Sequence, residues 1–369
     1  MKVRVTTFAV ALASTGLVGA CFLPGFEKVD GTGAGGSGGI GVGGSGGGED
    51  MCSARWPAPV TGTSLPTDNV AFALAMRTID IGDAAVATAP GFDLDRACTC
   101  CADCSAAQTC TPPAMPICDS ERGRDNAMAH FLSQLQKTLP SPVTSASLQT
   151  DITTGNWTIL SRVWGYNGEP NDDNVTVALY GTVPLGTMPT WNGGDSWMVR
   201  ADYLVAPSTN LDDASVKSDL AYVSGGVLVA TFGNAGPVKL SLSGGFELYL
   251  SSAVLSGTLE LADGRYRLHT ATLGGLWSMP DVFRSLNELR PNGMPVVCKG
   301  DPAYEMTIKP LLCSLRDSKP GFDAPAPCDA LSFGTSFTSE QVVISQIAPA
   351  PVPGMPCAAG FEPLGDVCP

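Results

Sequence analysis

Alternating apolar and polar positions dominate the middle of the chain. Val175, Val177 and Leu179 face one way on an extended backbone, and Thr176, Ala178 and Tyr180 face the other. Val238, Leu240 and Leu242 repeat the pattern, as do Phe246, Leu248 and Leu250 after two glycines. A two-residue Gly244-Gly245 loop would set Leu242 against Glu247 and mix the faces. A three-residue loop, Ser243-Gly244-Gly245, sets Leu242 against Phe246 and keeps them separate. Asp263-Gly264 predicts a tight hairpin pairing Leu261 with Tyr266, Glu260 with Arg267 and Leu259 with Leu268. Glu247 and Glu260 then point outward, as solubility and pairing residues. Val70–Ile81 predicts an early strand, with Phe72, Leu74 and Met76 on one face. Ala330–Ile344 predicts one or two late strands carrying Leu331, Phe333 and Phe337.

The period changes between Asp125 and Pro140. Met128, Phe131, Leu132, Leu135 and Leu139 form one stripe of a helix of about four turns, with Asp125 as N-cap and Pro140 as stop. His130 falls on the opposite, wet face. A short helix over Pro280–Arg290 follows, capped by Ser278 and ended by Pro291-Asn292-Gly293. Many strands and few helices predict an all-β fold. The expectation is a disulfide-braced, jelly-roll-like β-sandwich with one amphipathic and one short helix.

The N-terminus has its own grammar. Lys2 and Arg4 precede an apolar run, Phe8–Val18, that is too short to span a bilayer, and Gly19-Ala20-Cys21 follow. Leu17-Val18-Gly19-Ala20-Cys21 resembles the lipobox of bacterial lipoproteins. The resemblance implies cleavage before Cys21, acylation of Cys21 and attachment to a lipid bilayer. Phe22, where an Asp would signal retention at the inner membrane, implies export to the outer membrane. The Gly/Ser-rich stretch after it buries nothing and reads as a tether. The expected organisation is a signal peptide (1–20), an anchored tether (21–50), a cysteine-rich β-domain (51–345) and a Pro-rich, disulfide-closed tail (346–369).

Charge and cysteine count narrow the chemistry. A net charge of −14 argues against nucleic acid as a partner. With Cys21 set aside, twelve of the 13 cysteines remain. Cys52, Cys98, Cys100, Cys101, Cys104, Cys110 and Cys118 form an early group. Cys298, Cys313, Cys328, Cys357 and Cys368 form a late one. In an exported chain an even count reads as disulfides. Both groups are odd, so complete pairing requires at least one bridge between them, and the two ends of the domain must meet.

The order Gly91-Phe92-Asp93-Leu94-Asp95, Cys98-Thr99-Cys100, Cys118-Asp119, Gly123-Arg124-Asp125-Asn126 and Cys328-Asp329-Ala330-Leu331-Ser332-Phe333-Gly334 resembles a group of uncharacterised cysteine-rich surface lipoproteins of diderm bacteria. The resemblance imports no activity. The same residues carry the main candidate site. Asp93 and Asp95, two apart, point the same way on an extended chain, and folding the stapled loop back brings Asp119, Asp125 and Asn126 toward them. Such oxygens would take Ca2+. A second oxygen-rich run, Asn167–Asn174, reads as turn chemistry.

Trp164, Tyr166, Trp191 and Trp197 are candidates for a sugar-stacking platform. Catalytic sets are thin: two histidines, no metalloprotease motif and no credible nucleophile–base order. The reading is therefore a lipid-anchored, non-catalytic binding or structural module, calcium-stabilised and carbohydrate-binding. Its alternatives are a secreted glycan hydrolase with paired carboxylates and an envelope scaffold with protein partners only.

Overall fold

In the computed structural model, ten strands carry the fold: β1 Val70–Asp80, β2 Ile159–Tyr166, β3 Asp172–Gly181, β4 Ser196–Arg200, β5 Lys217–Ser224, β6 Val227–Thr231, β7 Val238–Leu242, β8 Phe246–Ala262, β9 Arg265–Ser278 and β10 Ala330–Ala348. The structure describes residues 53–63, 69–100, 109–114, 116–137, 143–233, 237–290, 293–319 and 326–369. They lie within one unit, Gly48–Pro369. The lipobox, the tether, Cys52, Cys101, Cys104, Leu139 and Pro140 fall outside them.

The sandwich expectation is overturned. Strands β1, β2, β3, β5, β6, β8, β9 and β10 pair in that order, each antiparallel to the next. β1 then pairs with β10, from Ala73 opposite Val342 to Asp80 opposite Ser336. That last pairing closes an eight-stranded up-and-down barrel, which leaves none of the eight with an open edge, unlike a sandwich. Two strands lie outside the ring. β7 pairs with the first part of β8, and β4 runs parallel to the end of β10.

Both expected hairpins have the expected register. Leu242 opposes Phe246 across Ser243–Gly245, and Leu261, Glu260 and Leu259 oppose Tyr266, Arg267 and Leu268. Asp263 and Gly264 take positive φ (53° and 72°), the backbone this tight turn needs. Glu260 pairs with Arg267 at 2.8 Å. Glu247 departs from its expected solvent role. It accepts from Arg200 at 3.0 Å, because the Arg200–Tyr203 segment lies across that face.

Among the described residues four α-helices sit around the barrel: α1 Ala127–Leu135, α2 Ser145–Thr154, α3 Met279–Glu288 and α4 Lys309–Ser314. α1 is nine residues long rather than four turns and is capped by Asn126, not Asp125. Asn126 Oδ1 accepts from the Ala129 amide, because Asp125 is engaged elsewhere. α2 was not expected. Its signal was the reciprocal Thr144/Ser147 capping box followed by Leu148 and Ile152, which are buried. α3 starts where expected, with the Ser278 hydroxyl accepting from Asp281 N, and ends at Glu288; Pro291 and Asn292 of its expected stop lie outside the described residues.

Four disulfides join described residues: Cys100–Cys118, Cys110–Cys328, Cys298–Cys357 and Cys313–Cys368. Cys110–Cys328 crosses between the early and late groups. Cys357 and Cys368 each bridge back to the segment around α4, so the tail is stitched on rather than closed on itself.

The core has two parts. Leu228, Ala230, Ala253 and Leu255 belong to the large cluster. Their sequence neighbours Val229 and Val254 belong to a small one, with Tyr222 and Phe92. Alternation places the small cluster on the opposite face of the same strands. A loop around Phe92 covers that face, and the candidate site lies in this loop.

Candidate cation site

Two glycines let the loop lie flat on the sheet. Gly334 of β10 pairs with Gly274 of β9. A Cβ on Gly334 would stand 2.2 Å from the Pro90 carbonyl oxygen, and one on Gly274 would stand 2.9 Å from the Phe92 ring. The buried Asn126 side chain pins the loop, donating to the carbonyls of Pro90 at 2.7 Å and Gly334 at 2.9 Å. The Asp125 amide donates to the Phe92 carbonyl at 2.9 Å. The chain before α1 thus runs beside the Phe92 segment through one antiparallel bridge, and their carboxylates meet.

One oxygen each of Asp93, Asp95 and Asp125 lies within 4.8 Å of the other two. All three residues are buried, at 2%, 8% and 4% exposure. Arg55 forks onto Asp93 Oδ2 through Nε (2.9 Å) and an amino group (2.7 Å). Asp93 Oδ1 is buried and has no hydrogen-bond partner among the described residues. Asp95 accepts from the Ala97 amide (2.8 Å) and the Thr109 hydroxyl (2.9 Å). Asp125 Oδ2 accepts from the Leu94 amide at 2.6 Å. Such bonds fix the carboxylates without neutralising them. An uncompensated buried charge costs several kcal/mol unless it is paired, protonated or bound to a metal.

A second pair of carboxylates stands behind Asp125. Asp119 Oδ2 accepts from the Thr99 amide at 2.6 Å. Asp317 accepts from the Ser332 amide at 2.8 Å and from the Ser332 hydroxyl. Asp119, Asp125 and Asp317 line a cavity of about 10 Å³, room for roughly one water-sized particle. Burial raises the carboxyls of both Asp119 and Asp317 to about 7. For Asp119, repulsion from Asp95 and Asp93 adds to the rise; for Asp317, Asp95 does so. Burial, then Asp95, Asp317 and Asp119, raises Asp125 well above the ordinary carboxylate range. Burial also raises Asp95, although the Ala97 amide and the Thr109 hydroxyl oppose it.

Of the residues expected to gather, Asp93, Asp95 and Asp125 do so, Asp119 shares the small cavity behind Asp125, and the Asn126 side chain has other partners. Its oxygen caps α1 and its nitrogen pins the loop. Asp317 is an addition from the far end of the chain. Its only sequence signal was its place among the late cysteines, at least one of the five having to reach the early group.

Beside the acidic centre opens a groove of about 620 Å³, lined by Arg55, Trp56, Asp93, Asp95, Thr109 and Tyr222 among others. Trp56 is half-buried and meets Phe92 edge-on at 5.2 Å. The Tyr222 hydroxyl donates to the Pro57 carbonyl at 2.6 Å.

The expected tryptophan platform is divided. Trp197 is fully buried, and Tyr166, at 5% exposure, donates its hydroxyl to the Glu169 carbonyl. Neither offers a ring face to solvent. Trp164 is half-buried under the Arg162 guanidinium, 4.7 Å from the ring centre, and Trp191 is half-buried. In the second oxygen-rich run, Asp172 accepts from the Asn167 and Asn174 amides, which is the turn chemistry expected of it. His130 is half-buried, which lowers its pKa, and His269 is exposed. Among the described residues no helix is long and apolar enough to cross a membrane.

No protein-family model matches the chain, and no curated protein or solved structure matches it either.

Proposed function

We propose that the protein is an exported, lipid-anchored, non-catalytic binding module. In this reading a calcium ion at Asp93, Asp95 and Asp125 braces the wall of a groove that takes polysaccharide. The observation that carries the reading is the convergence of three buried carboxylates within 4.8 Å, one with an oxygen that has no hydrogen-bond partner among the described residues. Calcium takes six to eight oxygen ligands, carboxylates and backbone carbonyls among them, and tolerates irregular geometry. Arg55 offsets one of the three negative charges, and a divalent cation offsets the remaining two.

The groove has the size of a small-molecule site, about 300–1,000 Å³. It offers an aromatic face at Trp56 and charged groups that can hydrogen-bond hydroxyls. The lipobox resemblance supports the anchor, and the cysteine bridges suit an oxidising compartment.

The hydrolase reading has one observation in its favour, the closeness of Asp93 and Asp95 beside the groove. Against it, Asp93 is clamped by Arg55 and both Asp95 oxygens are engaged. A glycan array with and without chelator, run beside a glycosidase panel, separates the two. Calcium-dependent retention without turnover is the expected result. Turnover abolished by Asp95→Asn would replace the binding module with an enzyme.

A further inference from the structure

We propose that the groove beside the acidic centre selects an acidic polysaccharide, one whose sugar rings carry carboxylates. This deepens the binding-module reading and rests on it for the groove, though not for the calcium ion. The groove measures about 620 Å³, and its lining sets Arg55, Arg96 and Lys319 against two acids, Asp93 and Asp95. The whole chain carries a net charge of −14, so a site where cations outnumber acids is a local exception. A concave site rich in one sign of charge concentrates ligands of the other sign.

Both acids are engaged within the loop. Asp93 gives Oδ2 to Arg55, and Asp95 accepts from the Ala97 amide and the Thr109 hydroxyl. At 2% and 8% exposure, neither presents an open carboxylate to an incoming anion.

Arg55 has donors to spare. Its Nε and one amino group fork onto Asp93, and its other amino group makes no hydrogen bond among the described residues. The side chain is 51% exposed where it lines the groove, which leaves that amino group for a ligand carboxylate.

The segment that carries Arg55 is fixed before a ligand arrives. The Asp93 amide donates to the Ala54 carbonyl at 2.9 Å, and the Ala54 amide donates to the Arg122 carbonyl at 3.1 Å. Two residues past Arg55, the Pro57 carbonyl takes the Tyr222 hydroxyl. Trp56, between these ties, packs edge-on against Phe92. An aromatic ring for a sugar and a guanidinium for its carboxylate thus stand on adjacent residues that lose little freedom on binding.

The test is a calorimetric titration of the full chain in phosphatidylcholine nanodiscs, with saturating calcium throughout. The probes are short oligomers of alginate, polygalacturonate and hyaluronan. Each is run beside its carboxyl-reduced counterpart, which keeps the sugar chain and loses the charge. At least one acidic oligomer should bind saturably and at least tenfold tighter than its reduced form. That gap should shrink several-fold between about 50 and about 500 mM salt. Arg55→Gln should close most of it. Because this change also strips Asp93 of its partner, Arg96→Gln and Lys319→Gln are measured beside it. They leave the Arg55–Asp93 pair intact and should each narrow the gap several-fold. Reduced oligomers bound as tightly as the acids would overturn the acidic assignment and leave the glycan-binding module standing. An acidic preference unmoved by all three substitutions would overturn the groove as its source. Oligoglutamate bound as tightly as the best acidic oligomer would overturn the sugar. Binding of no saccharide at all, acidic or reduced, would overturn the proposed function and this inference with it.

Discussion

Asp119 and Asp317 connect the acidic centre to pH. In the folded, cation-free protein both titrate near 7, against an ordinary value of 3.8. Between those values the folded state holds more protons than the unfolded one. Stability therefore falls as pH rises through this window, opposite to the behaviour of salt-bridged carboxylates. Melting curves in chelator from pH 5 to 8.5 should show a declining Tm. With saturating calcium the decline should flatten, because the cation takes over the charge that protons otherwise neutralise. At this scale the sequence was informative only locally. Asp93 and Asp95 share a side of an extended segment, and Asp125 follows a bridged loop, so their meeting could be read from spacing. Asp317 could not, because no periodicity links positions so far apart. The misassigned cap has the same origin: Asp125 and Asn126 are equally good caps in isolation, and the choice was made by the loop amides that occupy Asp125.

Among the elements, the loop depends on the Gly274–Gly334 window and on the bridge from Cys110. Gly334→Ala forces a Cβ against the Pro90 carbonyl and should destabilise by about 1–3 kcal/mol, the usual cost of overpacking. Urea denaturation would measure it. The double substitution Cys110→Ser, Cys328→Ser opens a bridge between residues 218 apart and should cost about 2–5 kcal/mol. Thr109, which donates to Asp95, adjoins Cys110, so calcium affinity should fall as well, read by calorimetry on the same variant. Turn chemistry and alternation were enough to set both hairpin registers, because each is decided by residues a few positions apart. Barrel closure was not legible. A strand in a sandwich and one in a barrel carry the same alternation, and the deciding contact joins β1 to β10 across the whole domain. Cysteine parity came nearest, since it required the ends of the domain to meet.

For the whole molecule, we propose that an acylated Cys21 anchors a disulfide-braced barrel with an acidic loop on its wall. The anchor has its own test. Cys21→Ser should abolish acyl labelling, and cell fractionation should find the wild type in the membrane; unlabelled, soluble wild type would remove the anchor from the account. The central claim is the cation. Calcium binding to extracellular modules falls near 10⁻⁴–10⁻³ M as an order-of-magnitude dissociation constant. At a hundredfold excess such binding stabilises by about 2.7 kcal/mol. The most direct measurement is therefore a calorimetric titration of calcium into chelator-stripped protein at pH 7.5, on the wild type and on Asp93→Asn. Saturable binding of about one ion per chain is expected in the wild type, and its loss in the variant. No heat of binding in the wild type, or equal binding in both proteins, would contradict it.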